Sequence, residues 1–74
     1  MTNEEISFNT KKTLSKALKS RVEHMPFDKI KVSHLIKDCN ITRSTFYYHF
    51  SDIYELLEWI FEFEAIIPLK ELRN

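Results

Sequence analysis

Glycine is absent from the 74 residues, proline occurs twice and cysteine once. A chain without glycine lacks the residue that tight hairpins and left-handed turns draw on most, which argues against an all-β sandwich, a collagen-like chain or a flexible linker. Cys39 stands alone, so an internal disulfide is impossible. The histidines, His24, His34 and His49, are scattered and match no zinc-ligand spacing. No metal and no other cofactor is expected. The longest apolar stretch, Leu56 to Leu69, is broken by Glu58, Glu62 and Glu64, well short of the roughly 20 apolar residues of a membrane-spanning helix. The first ten residues, MTNEEISFNT, contain no apolar signal-peptide core. A cytoplasmic location without membrane insertion is expected. What is present is 43% hydrophobic and 30% charged residues with ten aromatics, enough apolar surface to fold and unlike the composition of disordered chains. One small all-α domain covering residues 1–74 is the reading that remains.

The formal net charge is zero, yet the charge is unevenly spread. Residues 1–50 hold nine Lys/Arg against five Asp/Glu, and residues 51–74 hold two against six. A basic half joined to an acidic half makes a dipolar module, one side of which attracts a polyanion. The plainer alternative is a set of solvated helix faces.

From Thr10 to Met25, Leu14, Ala17, Leu18, Val22 and Met25 recur at three and four, which predicts helix one over about 10–25. Met25-Pro26-Phe27 stops it, because proline lacks the N–H and biases its predecessor away from helical dihedrals. Val32, Leu35, Ile36 and Cys39 share one face of a helix over about 32–39. Asn40 comes next, a residue that tolerates the left-handed conformation that ends helices, and Ile41 then turns inward. Thr42 is an N-cap for a third helix over about 43–49. Asp52-x-x-Glu55 opens a fourth over about 52–65, with Leu56, Leu57, Ile60 and Phe61 as its apolar residues. Two helices joined by a turn of three or four residues have the spacing of a helix-turn-helix.

Lys31 to Phe50 carries the functional signal. Phe46 and Phe50, four apart, face the core, while the third helix offers Arg43, Ser44, Thr45, Tyr47, Tyr48 and His49. That mixture suits double-stranded DNA, whose major groove admits one helix with its N-terminal residues nearest the base edges. Arg43 is the candidate for a bidentate contact to guanine. Phosphate donors would be the hydroxyls of Thr42, Ser44, Tyr47 or Tyr48, with Lys31 and Ser33 at the start of helix two. Of the tyrosines, Tyr48 is expected to face outward. His49 is read as a packing or helix-terminal residue in preference to a metal ligand or base, and Cys39 as a small buried hydrophobe.

The run Ile41-Thr42-Arg43-Ser44-Thr45-Phe46-Tyr47-Tyr48-His49-Phe50, with Ser51-Asp52 and a leucine-rich helix after it, resembles the N-terminal domain of TetR-family transcriptional regulators over about residues 10–64. The family's threonine, aromatic, tyrosine, any residue, histidine, phenylalanine pattern falls on Thr45 to Phe50 without a gap. Leu57-Glu58-Trp59-Ile60-Phe61-Glu62 further resembles regulators of the dihydroxyacetone kinase operon type. The resemblance implies a homeodomain-like fold, a three-helix bundle with a helix-turn-helix and a fourth helix. It also implies sequence-specific DNA binding, a homodimer on a pseudo-palindromic operator in the complete protein, and a C-terminal domain that dimerises and binds a small-molecule effector. That domain is absent from these residues, and the chain is read as an excised DNA-binding domain. Four positions depart from the pattern. Cys39-Asn40 replaces the usual Ala-Gly, Ser44 the usual small residue inside the third helix, and Ile53 a common basic residue.

Without its second domain, Trp59, Phe61, Phe63, Ile66 and Ile67 are expected to form an exposed apolar patch. A rival reading makes that patch the working surface of a small protein-interaction module, with the helix-turn-helix as scaffold. No nucleophile, glycine-rich phosphate loop or positioned base accompanies the acidic fourth helix, so no enzyme activity is expected. Helix one as a basic membrane-surface helix is disfavoured, since its polar face lacks interfacial aromatics.

Overall fold

The computed structural model describes residues 2–65. Their architecture is all-helical: α1 (Asn3–Val22), α2 (Val32–Cys39), α3 (Arg43–His49) and α4 (Ile53–Ile60), with a 3₁₀ turn at Phe27–Lys29 and a π-helical turn at Phe61–Ala65. No strand occurs among the described residues.

α1 begins at Asn3, not near Thr10, and this corrects the expected boundary. Thr2 lies in extended conformation and its Oγ1 accepts from the Glu5 N–H at 3.1 Å, while Glu4 and Glu5 put negative charge on the first turn. Both features favour a helix N-terminus. At the other end α1 stops at Val22, short of Met25. The His24 and Met25 N–H groups both turn back to the Arg21 carbonyl, and Pro26 is extended.

α2 and α3 occupy the expected ranges, and α4 carries its helical geometry to Ile60 before widening into the π turn. Asp52 caps α4 by accepting from the Glu55 N–H at 2.9 Å. Between α2 and α3, Asn40 adopts φ 55° and ψ 47°, the one positive φ among the described residues. The Ile41 N–H reaches the Ile36 carbonyl and the Asn40 N–H the Lys37 carbonyl, so two otherwise orphaned helix-end acceptors are paired in a Schellman arrangement. Ile36 and Ile41, both half-buried, pack against the core on either side of this turn. Because a side chain with Cβ costs about 1–2 kcal/mol in this conformation and asparagine lessens that cost, Asn40→Ala is expected to lower unfolding free energy by about 1 kcal/mol. Asn40→Gly should leave it unchanged or raise it. Urea denaturation monitored by circular dichroism measures both.

The core unites Leu14 and Leu18 of α1, Ile30, Leu35 of α2, Phe46 and Phe50 at α3, and Leu56, Trp59 and Ile60 of α4. A two-pronged ion pair fastens α1 to α2: Arg21 Nε lies 2.7 Å from Asp38 Oδ2 and Nη2 2.8 Å from Oδ1. Hydrogen bonding to Arg21 holds the Asp38 carboxyl below its ordinary pKa.

The expected apolar patch is smaller than the sequence implies. Trp59 is only 9% exposed, because the extended start of α1 lays Phe8 edge-on against it at 5.8 Å while Phe50 packs from below at 6.4 Å. Phe61 and Phe63 are exposed. Ile66 and Ile67 lie outside the described residues.

Candidate nucleic-acid interface

α3 is seven residues long and owes its order to its two sides. Phe46 is fully buried and Phe50 nearly so, which pins one side to the core. At the N-terminus Thr42 Oγ1 accepts from the Thr45 N–H at 3.1 Å and lies 2.9 Å from the Thr45 hydroxyl. The helix is thereby fixed in rotation, and its outer residues are fixed with it.

Of the residues singled out from the sequence, Thr42, Arg43, Ser44, Tyr47 and Tyr48 are exposed on or at the head of α3, and Lys31 and Ser33 are exposed at the start of α2. Arg43 makes no ion pair or hydrogen bond among the described residues, so its guanidinium donors are available. Tyr47 is 49% exposed and rests edge-on against Phe46, whereas Tyr48 is 82% exposed and its one ring contact among the described residues is with His49. Tyr48 is thus the outward tyrosine. Thr45 is half-buried and its polar groups are spent on the cap. His49 is half-buried as well, with Nδ1 3.2 Å from Ser7 Oγ of α1. Burial, reinforced by the positive charge of Lys11, holds its imidazole below the ordinary histidine pKa. No hydrogen bond or ring contact among the described residues joins Lys31 or Ser33 to α3.

Three neighbours escape a reading of the sequence alone. His34 Nδ1 accepts from the Lys31 N–H at 3.0 Å and so closes the start of α2. Ser7 and Lys11 of α1 reach the far end of α3, the first through His49 and the second with its ammonium 5.8 Å from the Phe50 ring centre. The Thr2-x-x-Glu5 pattern is the signal that carries α1 back to Ser7. Cys39 is half-buried, not fully so; its Sγ lies 3.6 Å from the Thr13 carbonyl and burial pushes its thiol pKa up. Among the described residues no group of three His, Cys, Asp or Glu could hold a metal ion, and no helix is long and apolar enough to cross a membrane.

The arrangement is a helix-turn-helix whose second helix has a buried aromatic side and an outer side of one unpaired arginine and hydroxyls. Such a surface can donate to phosphates and to base edges. No protein-family model matches the chain. Over 56 residues, 76% of its length, the chain is 39% identical to the HTH-type dhaKLM operon transcriptional activator DhaS of Lactococcus lactis subsp. lactis (strain IL1403). The matched stretch spans 30% of that relative.

Proposed function

We propose that this chain is the DNA-binding domain of a transcriptional regulator of TetR type, which reads double-stranded DNA by laying α3 in the major groove. The observation that carries the reading is the outer side of α3: Arg43 unpaired at its head, with Thr42, Ser44, Tyr47 and Tyr48 exposed around it. In this arrangement Arg43 donates to guanine, the hydroxyls and Lys31 and Ser33 engage phosphates, and Thr45 acts through the cap. Similarity to an HTH-type operon activator supports the same reading, as does the basic character of residues 1–50. The TetR assignment rests on the motif from Thr45 to Phe50, and the dihydroxyacetone-kinase-operon subgroup on Leu57 to Glu62 together with that relative. A complete protein of this type would pair as a homodimer on a pseudo-palindrome, with half-sites about one helical turn apart, and would take its effector outside these residues. No catalytic role is proposed.

Fluorescence anisotropy tests this with the duplex upstream of the chain's own gene and a scrambled duplex. Preference for the upstream duplex is expected. Affinity should fall as salt rises from 50 to 200 mM, by about 3-fold for each phosphate that a lysine or arginine neutralises. Absence of binding to either duplex at about 10⁻⁴ M protein, the range of non-specific complexes, would sink the proposal. The exposed Phe61 and Phe63 favour a second reading in that event, a protein-interaction module built on the end of α4.

A further inference from the structure

The contact between Ser7 and His49 spans 42 residues of sequence and joins the first turns of α1 to the C-terminal end of α3. Other hydroxyls of α1 behave differently. Thr10 and Thr13 turn back on the carbonyls of Ile6 and Asn9, each at 2.9 Å, satisfying their own helix. Ser7 makes no such bond and reaches across to Nδ1 of His49. The geometry lets either group donate, and the imidazole tautomer sets the direction: Ser7 O–H donates when Nδ1 carries no proton. A neutral imidazole that accepts at Nδ1 carries its proton on Nε2.

Nε2 has no hydrogen-bond partner among the described residues. Yet no buried side-chain nitrogen or oxygen there lacks a partner. Nε2 of His49 therefore reaches solvent. The His49 ring lies beside that of Tyr48, the most exposed large apolar side chain of the described residues, and Tyr48 shares a shallow cleft with Ser7, Lys11 and Glu4. The charges of Lys11 and Glu4 oppose each other there.

We infer that Ser7 is a positioning residue for the DNA interface: its hydroxyl fixes the tautomer and ring orientation of His49 so that Nε2–H donates to a backbone phosphate at the C-terminal end of α3. The inference rests on the DNA-binding reading and adds to it a residue from α1, outside the helix-turn-helix. Burial and Lys11 both disfavour the charged imidazole, and so favour the state in which a single proton has a defined place.

Two measurements test it on the full chain. Long-range ¹H–¹⁵N correlation spectra of the His49 ring should give the Nε2–H pattern at neutral pH in the wild type and a mixed-tautomer pattern in Ser7→Ala. Anisotropy against the upstream duplex should register a loss of about three- to ten-fold for Ser7→Ala, restored by Ser7→Thr, with the salt slope unchanged because a neutral donor displaces no counterion. His49→Ala should lose as much as Ser7→Ala, and the double variant no more than either. Circular dichroism confirms that each variant is folded. An Nδ1–H tautomer in the wild type, or wild-type affinity in folded Ser7→Ala, overturns the inference and leaves the DNA-binding reading standing. Failure of the wild type to bind any duplex overturns both.

Discussion

Phe46→Ala is expected to abolish most of the folded population at room temperature, with the helical circular dichroism signal lost and a large shift of any remaining urea midpoint. Phe46 is fully buried and touches the rings of Tyr47 at 5.4 Å and Phe50 at 6.1 Å between centroids. Truncating a buried phenylalanine costs about 3–5 kcal/mol, the lost transfer free energy plus the cavity left behind. A 74-residue domain has about 4–11 kcal/mol in total, and small domains lie toward the lower end because they bury a smaller share of their surface. The cost is therefore comparable to the whole. Phe46→Leu keeps an apolar side chain of similar bulk and is expected to cost less than about 1.5 kcal/mol, so that variant remains folded and its α3 surface can be assayed. A midpoint for Phe46→Ala within experimental error of the wild type would mean that α3 is not anchored through this ring.

That anchoring is visible in the sequence because it is local. Thr42, Phe46 and Phe50 lie at four-residue intervals, Asn40 marks a left-handed turn, and Glu55 stands three residues after Asp52. Each feature acts within one or two helical turns, where capping and periodicity are governed by neighbours in the chain. The limits of α2 and α3 are accordingly legible to the residue.

The start of α1 escapes the same periodicity for a related reason. Ile6 and Phe8 do not continue the stripe of Leu14 and Leu18, and both remain about half exposed. Periodicity therefore loses the helix there, and only the Thr2 cap records it. The contacts made by those early turns are non-local. Phe8 covers Trp59 and Ser7 meets His49, pairings between segments more than 40 residues apart that no local pattern encodes. The buried Ser15 beside Leu14 and Leu18 is of the same kind, a polar residue whose place in the core depends on what packs over it. The candidate interface divides likewise. Its exposed donors on α3 are a consequence of helical phase, while the inward turn of His49 requires the fold.

Arg43→Ala separates the two readings of the chain most sharply. If α3 reads the major groove, Arg43 at its head supplies two parallel donors to guanine O6 and N7, a pairing worth about 1–3 kcal/mol of discrimination against the wrong base. The variant should bind the upstream duplex about 5- to 150-fold more weakly, lose little on the scrambled duplex, and tolerate any base at the contacted position. Its fold should be untouched, because the side chain is exposed and makes no ion pair or hydrogen bond among the described residues. A pure phosphate contact would give another pattern: equal losses on both duplexes and a salt slope smaller by about 0.9. Arg43→Lys discriminates further, since a single ammonium keeps the charge but not the fork of donors, and it should bind the scrambled duplex as the wild type does without restoring base preference. If instead Arg43→Ala leaves both duplexes bound as the wild type binds them, Arg43 makes no specific contact, and base reading by α3 must be abandoned even if the basic surface still attracts DNA.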